Sequence, residues 1–469
     1  MDYRSEIQKI KRLVLSLRDT VADQQRVIKQ QAARISILSN QIEELKTENH
    51  KLREALHKKN SSNSSTPPSK DENRPRKSQS LRKPTGRKNG GQKGHSGETL
   101  MIKGTPDEIV RHIPKYCNKC GRELAGDAIM VKKRQVIDIP QIVPVTTEHR
   151  AYSMTCSCGH CTADGFPAGV NAPVSYGENI ETLIAYFSVR QYMPINRIQE
   201  FFAQVLSLKM SQGSICNKLK SFANKCLPVY RIIKDKVEKS NCVGADETGF
   251  VFNGKKGWMW VWQTPALTYI AASDNRGTKT ITGTFANGFP VSVLVHDCWK
   301  PHFNIPAKNH QLCLAHLRRE LNYFIELRKE TWSYRFEKLL RKALKLQRKI
   351  IQNPNQDDQR YVQQINKDAD HLLNIDMAKH KKVNTFKKRM TKYRDYLFLF
   401  LKDTNIPPDN NGSERAIRNV KVKQKVSGQF KTMDGANQFA IIRSVIDTCI
   451  KNNTDLFPTL SDFHNLIPE

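Results

Sequence analysis

The sequence predicts a multidomain α+β protein, and three observations carry that prediction. A heptad of apolar residues runs from Ile7 to Leu56. Two cysteine clusters with metal-knuckle spacing follow, at Cys117–Cys120 and Cys156–Cys161. Further on, two strand-like runs, Cys242 to Asp246 and Pro290 to Asp297, each end on an acid. The 469 residues are enough for two to four domains at about 100–200 residues each. Lys plus Arg number 77 against 45 Asp plus Glu, a formal charge of +32. That excess argues against an ordinary metabolic enzyme and for a polyanionic partner, nucleic acid or an anionic membrane. A membrane span needs about 20 mostly apolar residues. The longest apolar runs, such as Tyr396 to Leu401 and Val291 to Val295, are far shorter. No signal-peptide core follows MDYRSEIQKI, so a cytoplasmic location with no membrane partner is expected, and nucleic acid is the better match to the charge.

Residues 1–57 predict a coiled coil. One seam reads Ile7, Val14, Val21, Ile28, Ile35, Ile42, Asn49, Leu56; the other reads Ile10, Leu17, Gln24, Gln31, Leu38, Leu45, Leu52. The span contains no Gly or Pro. β-branched residues in the first seam and Leu in the second favour a parallel homodimer, with Asn49 as a register lock. The alternative is a helix folded back on its own chain. Residues 58–104 predict a disordered basic linker, rich in Ser, Asn, Pro and Gly. Eleven Lys/Arg and three acids lie between Lys58 and Leu100, which suits a tether that also neutralises DNA phosphates.

Residues 105–172 predict a zinc ribbon. Zn²⁺ takes four soft ligands in a tetrahedron, two from each knuckle. The expected ligands are Cys117, Cys120, Cys158 and Cys161, with Cys156 and His160 competing in the second pair and a strand-rich stretch from Val131 to Tyr152 between the knuckles. Four protein ligands leave no open position, so this zinc would be structural. Free thiols are the plainer reading. Residues 173–240 predict a helical DNA-binding segment. Ile195 to Leu206 and Ser211 to Ala223 form two helices around a short link, with Ser211 as N-cap. Gln212, Ser214, Asn217 and Lys218 would face a major groove, although an ordinary helical hairpin accounts for the pattern equally well.

Residues 241–326 predict the first part of an α/β core. Cys242 to Asp246, Gly257 to Trp262 and Leu267 to Ala271 read as strands, Lys279 to Ala286 as a helix, and Pro290 to Asp297 as a fourth strand. That order suits a ribonuclease-H-like sheet. Alternation along a strand puts Glu247 opposite Asp246 and Thr248. Trp258, Trp260 and Trp262 share one face and read as core, whereas Trp299 is better placed to touch DNA. Carboxylates at neighbouring strand ends suit Mg²⁺, and a pair of such ions can clamp a phosphoryl transfer. Glu414 is the expected third acid, at the start of a helix near Asn411. Asn411 and Glu414 also have capping-box spacing, and strand-end aspartates are common in turns, so the residues alone leave both readings open. Cys313 and His316 lie one helical turn apart and read as core side chains, with a metal site as the alternative. Arg318 and Arg319 are expected to meet DNA phosphate. So are Arg415, Arg418, Lys421, Lys423, Lys425 and Lys431, a basic platform after Glu414.

The chain resembles DDE-type bacterial transposases of the insertion sequence 66 family over nearly its whole length. The resemblance rests on SSNSSTPPSKD, the CxxCG knuckle, GADETG, HDCWKPHF, HQLCLAHLRREL and NNGSERAIRNVKVKQKVSGQF. It implies a catalytic triad of Asp246, Asp297 and Glu414, and a ribonuclease-H-like core interrupted by a helical insertion. On this reading 327–402 is the insertion and 403–469 completes the core with the catalytic Glu and C-terminal helices. It further implies two Mg²⁺ (or Mn²⁺) ions, cleavage at the element's ends followed by strand transfer into target DNA, action at the bacterial nucleoid, and small accessory proteins from the same element. A non-catalytic DNA-binding regulator, and a nuclease that cuts without joining, remain the rival functions.

Overall fold

The computed structural model describes residues 3–56, 63, 100–167, 169–328, 331–354, 357–375 and 381–462. The basic linker expected at 58–104 lies almost entirely outside them. In chain order the elements are α1 (Tyr3–Leu56), β1 (Ser153–Thr155), β2 (Cys161–Ala163), α2 (Glu178–Ala185), α3 (Ile195–Val205) and α4 (Gln212–Glu238). Next come β3 (Cys242–Phe252), β4 (Lys255–Gln263), β5 (Thr268–Ser273), α5 (Thr278–Thr284), β6 (Phe289–His296), α6 (Lys300–Phe303) and β7 (Ala307–Leu312). Six helices follow: α7 (Leu314–Arg328), α8 (Thr331–Gln352), α9 (Gln359–Asn374), α10 (Lys381–Lys392), α11 (Asn411–Ser427) and α12 (Met433–Lys451), with a short α13 (Leu456–Asp462) at the end. The result is a mixed α+β protein with a helical N-terminus and a sheet core, divided into two compact units.

The first unit holds α1 and residues 232–249 and 256–419. α1 is one unbroken helix, and its apolar seam, from Ile7 and Ile10 to Leu45 and Leu52, is exposed. The fold-back alternative is therefore not what the described residues adopt. The sheet order is β5-β4-β3-β6-β7. β6 runs parallel to both β3 and β7, while β4 and β5 pair antiparallel. A central parallel strand is covered on both faces, which is why Val293, Leu294, Val295 and His296 are buried in succession. α7 to α10 share one apolar cluster with β6 and β7: Leu317, Leu321, Phe336, Leu340, Leu372 and Phe386 are buried in it. The indole N–H of Trp332 donates to the Leu372 carbonyl there (2.8 Å). Trp260 and Trp262 are fully buried and stacked 5.8 Å apart, core residues as their alternation implies.

The second unit holds residues 100–231, 250–255 and 420–462. Asn253 and Gly254 both have positive φ (43° and 71°), the two-residue hairpin turn that Asn-Gly favours. Phe250 in that hairpin packs edge-on against Phe430 (5.5 Å). Ile184, Ile198, Phe202, Leu206, Met210 and Ile215 form the unit's apolar cluster. After α2 the chain makes a π-helical turn, Tyr186–Arg190. Such a turn shifts hydrogen bonds by one residue and leaves carbonyls for other donors. Two buried cations take them: Lys423 Nζ donates to Ser188 O (3.2 Å), and Arg443 Nη1 donates to Val189 O (3.2 Å).

Three expectations change here. Val131 to Tyr152 contains no strand among the described residues, and Val131, Val136, Ile139 and Val145 are exposed; β-branched residues without a paired neighbour do not make a sheet. The second helix of the helical segment does not stop at Ala223 but continues to Glu238 through Pro228. Its start is capped as expected, with Ser211 Oγ accepting the Ser214 N–H (3.0 Å). Lys218, expected on the groove-facing surface, instead donates to the Tyr176 carbonyl (3.0 Å) and lies 3.6 Å from the buried Glu181.

Candidate acidic active site

Asp246 lies on β3, Asp297 directly follows β6, and Glu414 lies in the first turn of α11. β3 and β6 pair in parallel through Gly244 and Val295, which sets Asp246 beside Asp297. The expected strand ending on Asp246 instead runs on to Phe252, so Asp246 lies within β3 and only Asp297 stands at a strand end. Glu414 reaches them because two glycines remove side chains from its approach. A Cβ on Gly244 would stand 2.5 Å from Asn410 Oδ1 and 2.9 Å from Ser413 Oγ. A Cβ on Gly412 would collide with the Gln263 amide.

Asn410 fastens this approach. It is buried, its Nδ2 donates to Ala245 O (2.7 Å), its Oδ1 accepts from Ser413 Oγ (2.7 Å), and its backbone N–H meets Cys313 Sγ (3.2 Å). Its carbonyl accepts the Glu414 N–H (3.2 Å). The helix is thus tied down one residue earlier than the Asn411 capping box requires, and the Glu414 carboxylate is free for other work. It binds Arg319 (2.6 Å), with His316 Nε2 3.8 Å away. Cys313 is buried and its thiol pKa is pushed up to about 12 by that burial, which fits the core reading of this residue.

The electrostatics join the three acids. Removal from water, and then the charges of Glu247, Asp297 and Glu414, hold the Asp246 pKa well above the ordinary carboxyl value. The Glu247 N–H donates to Asp246 Oδ1 (2.9 Å) and the Trp299 N–H to Asp297 Oδ1 (2.8 Å), fixing both carboxyls. Glu247 itself points elsewhere, as strand alternation predicts. Burial opposes its ionisation, but His302 (3.3 Å) and Arg276 (2.9 Å) hold its pKa below normal. Among the described residues, no group of three His, Cys, Asp or Glu side chains is close enough to hold a metal ion. Glu414 is drawn onto the Arg319 guanidinium instead. His316 lies beside Glu414: burial, then Arg319, hold its pKa below normal against the opposing charges of Asp297 and Glu414, and its buried Nδ1 has no hydrogen-bond partner.

A family model described as "Transposase IS66 family" matches residues 173–438, which include all three acids. The chain belongs to the IS66 transposase family. A second model, a "Family of unknown function (DUF6444)", matches residues 6–101 of this IS66 chain. Over 416 residues the chain is 23% identical to "Uncharacterized protein y4hP" of Sinorhizobium fredii (strain NBRC 101917 / NGR234), covering 76% of this chain and 72% of that protein. Family membership makes DNA the expected partner. No helix among the described residues is long and apolar enough to cross a membrane.

The cations assigned to DNA from the IS66 motifs divide into two groups. Arg415, Arg418, Lys425 and Lys431 are exposed and Lys421 is half-buried. Lys423 is not part of that surface. It is buried on the π-turn carbonyls, and burial lowers its pKa to about 8. Arg318 is also committed elsewhere, to the buried Glu337 (3.1 Å). Arg319 faces Glu414 rather than open solvent.

In the cysteine region each knuckle makes a tight turn on a glycine of positive φ, Gly121 (73°) and Gly159 (87°). Cys117 receives backbone N–H groups of Lys119 and Cys120, which lower its pKa; Cys156 receives that of Cys158, with the same effect. These turns favour the thiolate form, yet no three of the knuckle Cys and His side chains among the described residues are close enough together to hold a metal ion. In the second knuckle Cys156 stands beside Cys158, while Cys161 opens β2, paired with Thr155.

Proposed function

We propose that this IS66-family transposase cleaves and joins DNA strands in a divalent-metal-dependent reaction at Asp246, Asp297 and Glu414. One observation supports the reading: Asp246 within β3, Asp297 just past β6 and Glu414 at the start of α11 are near enough that, after burial and Glu247, the charges of Asp297 and Glu414 also disfavour ionisation of Asp246. Such a cluster is unfavourable alone and becomes favourable around cations. Carboxylate oxygens are the donors that Mg²⁺ or Mn²⁺ takes; Asp246, Asp297 and, once released from Arg319, Glu414 would hold two such ions, which would activate water or a 3′-hydroxyl and stabilise the leaving oxygen. The protein's own groups position the acids: Asn410 sets Glu414, and the Trp299 and Glu247 N–H groups orient the two aspartates. The mixed sheet supports the ribonuclease-H-like classification, with α8 to α10 as the helical insertion.

Beside this centre the exposed Arg415 and Arg418 would hold phosphates; Lys421, Lys425 and the 58–104 linker would add non-specific attraction. A structural zinc on Cys117, Cys120, Cys158 and Cys161, with Cys156 or His160 as the alternative in the second knuckle, would draw the two knuckles together and order the region before α2. The exposed seam of α1 would pair two protomers and so hold two element ends together. Joining of a labelled end fragment to target DNA with Mg²⁺ tests the assignment. Asp297→Asn should abolish joining and leave DNA binding largely intact; full joining by that variant would sink the proposal. Cleavage by the native protein without joining would favour the nuclease.

A further inference from the structure

Beside the acidic site stands a set of aromatic and cationic groups with no role in the proposed chemistry. Trp299 follows Asp297 by two residues and is tied to it by its own N–H (2.8 Å to Oδ1). The residue is 36% exposed, unlike the fully buried Trp260 and Trp262. The Arg276 guanidinium lies 4.1 Å from the Trp299 ring centroid and 4.6 Å from that of Trp258, and Lys256 Nζ lies 4.7 Å from the Trp258 ring. Arg276 is held in place by Glu247, 2.9 Å away and buried. An indole is costly to leave in water, and a cation fixed against it keeps the ring in one orientation.

We infer that Trp299, backed by Arg276, is a stacking platform for one unpaired nucleobase of the DNA strand whose phosphate lies at the acidic site. Three features favour this occupant over another protein. The ring is a single exposed aromatic rather than an apolar patch. Arg276 lies against it and Lys256 against the neighbouring Trp258, cations that suit a nucleic-acid backbone. Trp299 is anchored to one of the acids that would face the scissile phosphate. The location of the platform rests on the acidic-site reading; the stacking itself does not.

The test uses the full-length protein without added Mg²⁺ or Mn²⁺, so that strand cleavage and joining play no part. The probes are a dT12 oligonucleotide and a 12-mer of the same backbone carrying abasic sites. The native protein should prefer dT12. Trp299→Ala should weaken dT12 about tenfold, the size of one base–aromatic stack, with binding of the abasic 12-mer unchanged. An unchanged thermal unfolding midpoint by circular dichroism certifies that the variant is folded. Trp299→Phe should retain most of the preference. Equal dT12 affinity for Trp299→Ala and native protein, or a native protein without preference, overturns the inference. Joining activity in Asp297→Asn would instead overturn the acidic-site reading and leave the stacking result standing.

Discussion

Replacing Lys423 with Met separates a structural lysine from a DNA-binding one. Lys423 lies in a run of basic residues, yet burial moves its pKa from 10.5 to about 8. That displacement corresponds to about 3 kcal/mol of penalty for carrying the charge in the folded state. The sign follows from proton counting. Between pH 8 and 10.5 the unfolded chain holds the proton and the folded chain has released it, so stability rises with pH through this window. Below pH 8 both states are charged and the penalty is constant; above 10.5 both are neutral and it is gone. Lys423→Met removes the titration. It also leaves the Ser188 and Met193 carbonyls without this donor, a loss of roughly 1–3 kcal/mol for each that stays dry, but that loss does not vary with pH. Urea unfolding of the native and variant proteins at pH 7.5 to 10.5 therefore isolates the effect, because other titrating groups cancel in the difference. Native stability should gain about 3 kcal/mol on the variant over that range. The same variant should leave the salt dependence of DNA binding unchanged, whereas Lys425→Ala should reduce the slope by about one. Parallel stability curves, together with a lowered salt slope in Lys423→Met, would refute the burial argument and return this lysine to the DNA surface.

Other perturbations test the geometry of the acidic site and of α1. Gly244→Ala places a methyl 2.5 Å from Asn410 Oδ1; it should cost about 1–3 kcal/mol by overpacking, measured as a lowered unfolding midpoint, and should impair DNA joining more than DNA binding. Arg319→Ala frees Glu414 from its 2.6 Å ion pair, so calorimetric titration with Mn²⁺ should show binding about threefold to tenfold tighter, given the strength of a close, partly buried charge pair; unchanged affinity would mean that Glu414 is not a ligand. Ile28→Asp in the exposed seam of α1 should convert a dimer to a monomer in light scattering, and an unaffected mass would move the dimer contact elsewhere.

The sequence made legible what depends on periodicity and strand alternation. The long α1, the order of three strands, a helix and a strand, the burial of Trp260 and Trp262, and the opposite facing of Glu247 follow from residue spacing alone. What it could not supply is whatever depends on a long-range partner. Lys423 looks like its neighbours Lys421 and Lys425; only the π-turn carbonyls, more than 230 residues earlier in the chain, make it different. Val131 to Val145 has strand composition, but composition does not provide a neighbouring strand.

The approach of Glu414 shows why motif residues without chemistry still matter. NNGSER reads locally as a capping box on Asn411. Yet the residue that ties down the helix is Asn410, and its side-chain partners are Ala245 on β3 and Ser413. Gly244 is small because Asn410 and Ser413 lie over it, and Gly412 because Gln263 does. Each of these residues, taken singly, would be read as a turn former. Together they fix how far the start of α11 stands from the interior of β3, and so how strongly Glu414 acts on Asp246. A substitution at Gly244 that leaves all three acids in place should therefore disable the site as thoroughly as loss of an acid, through distance rather than through chemistry.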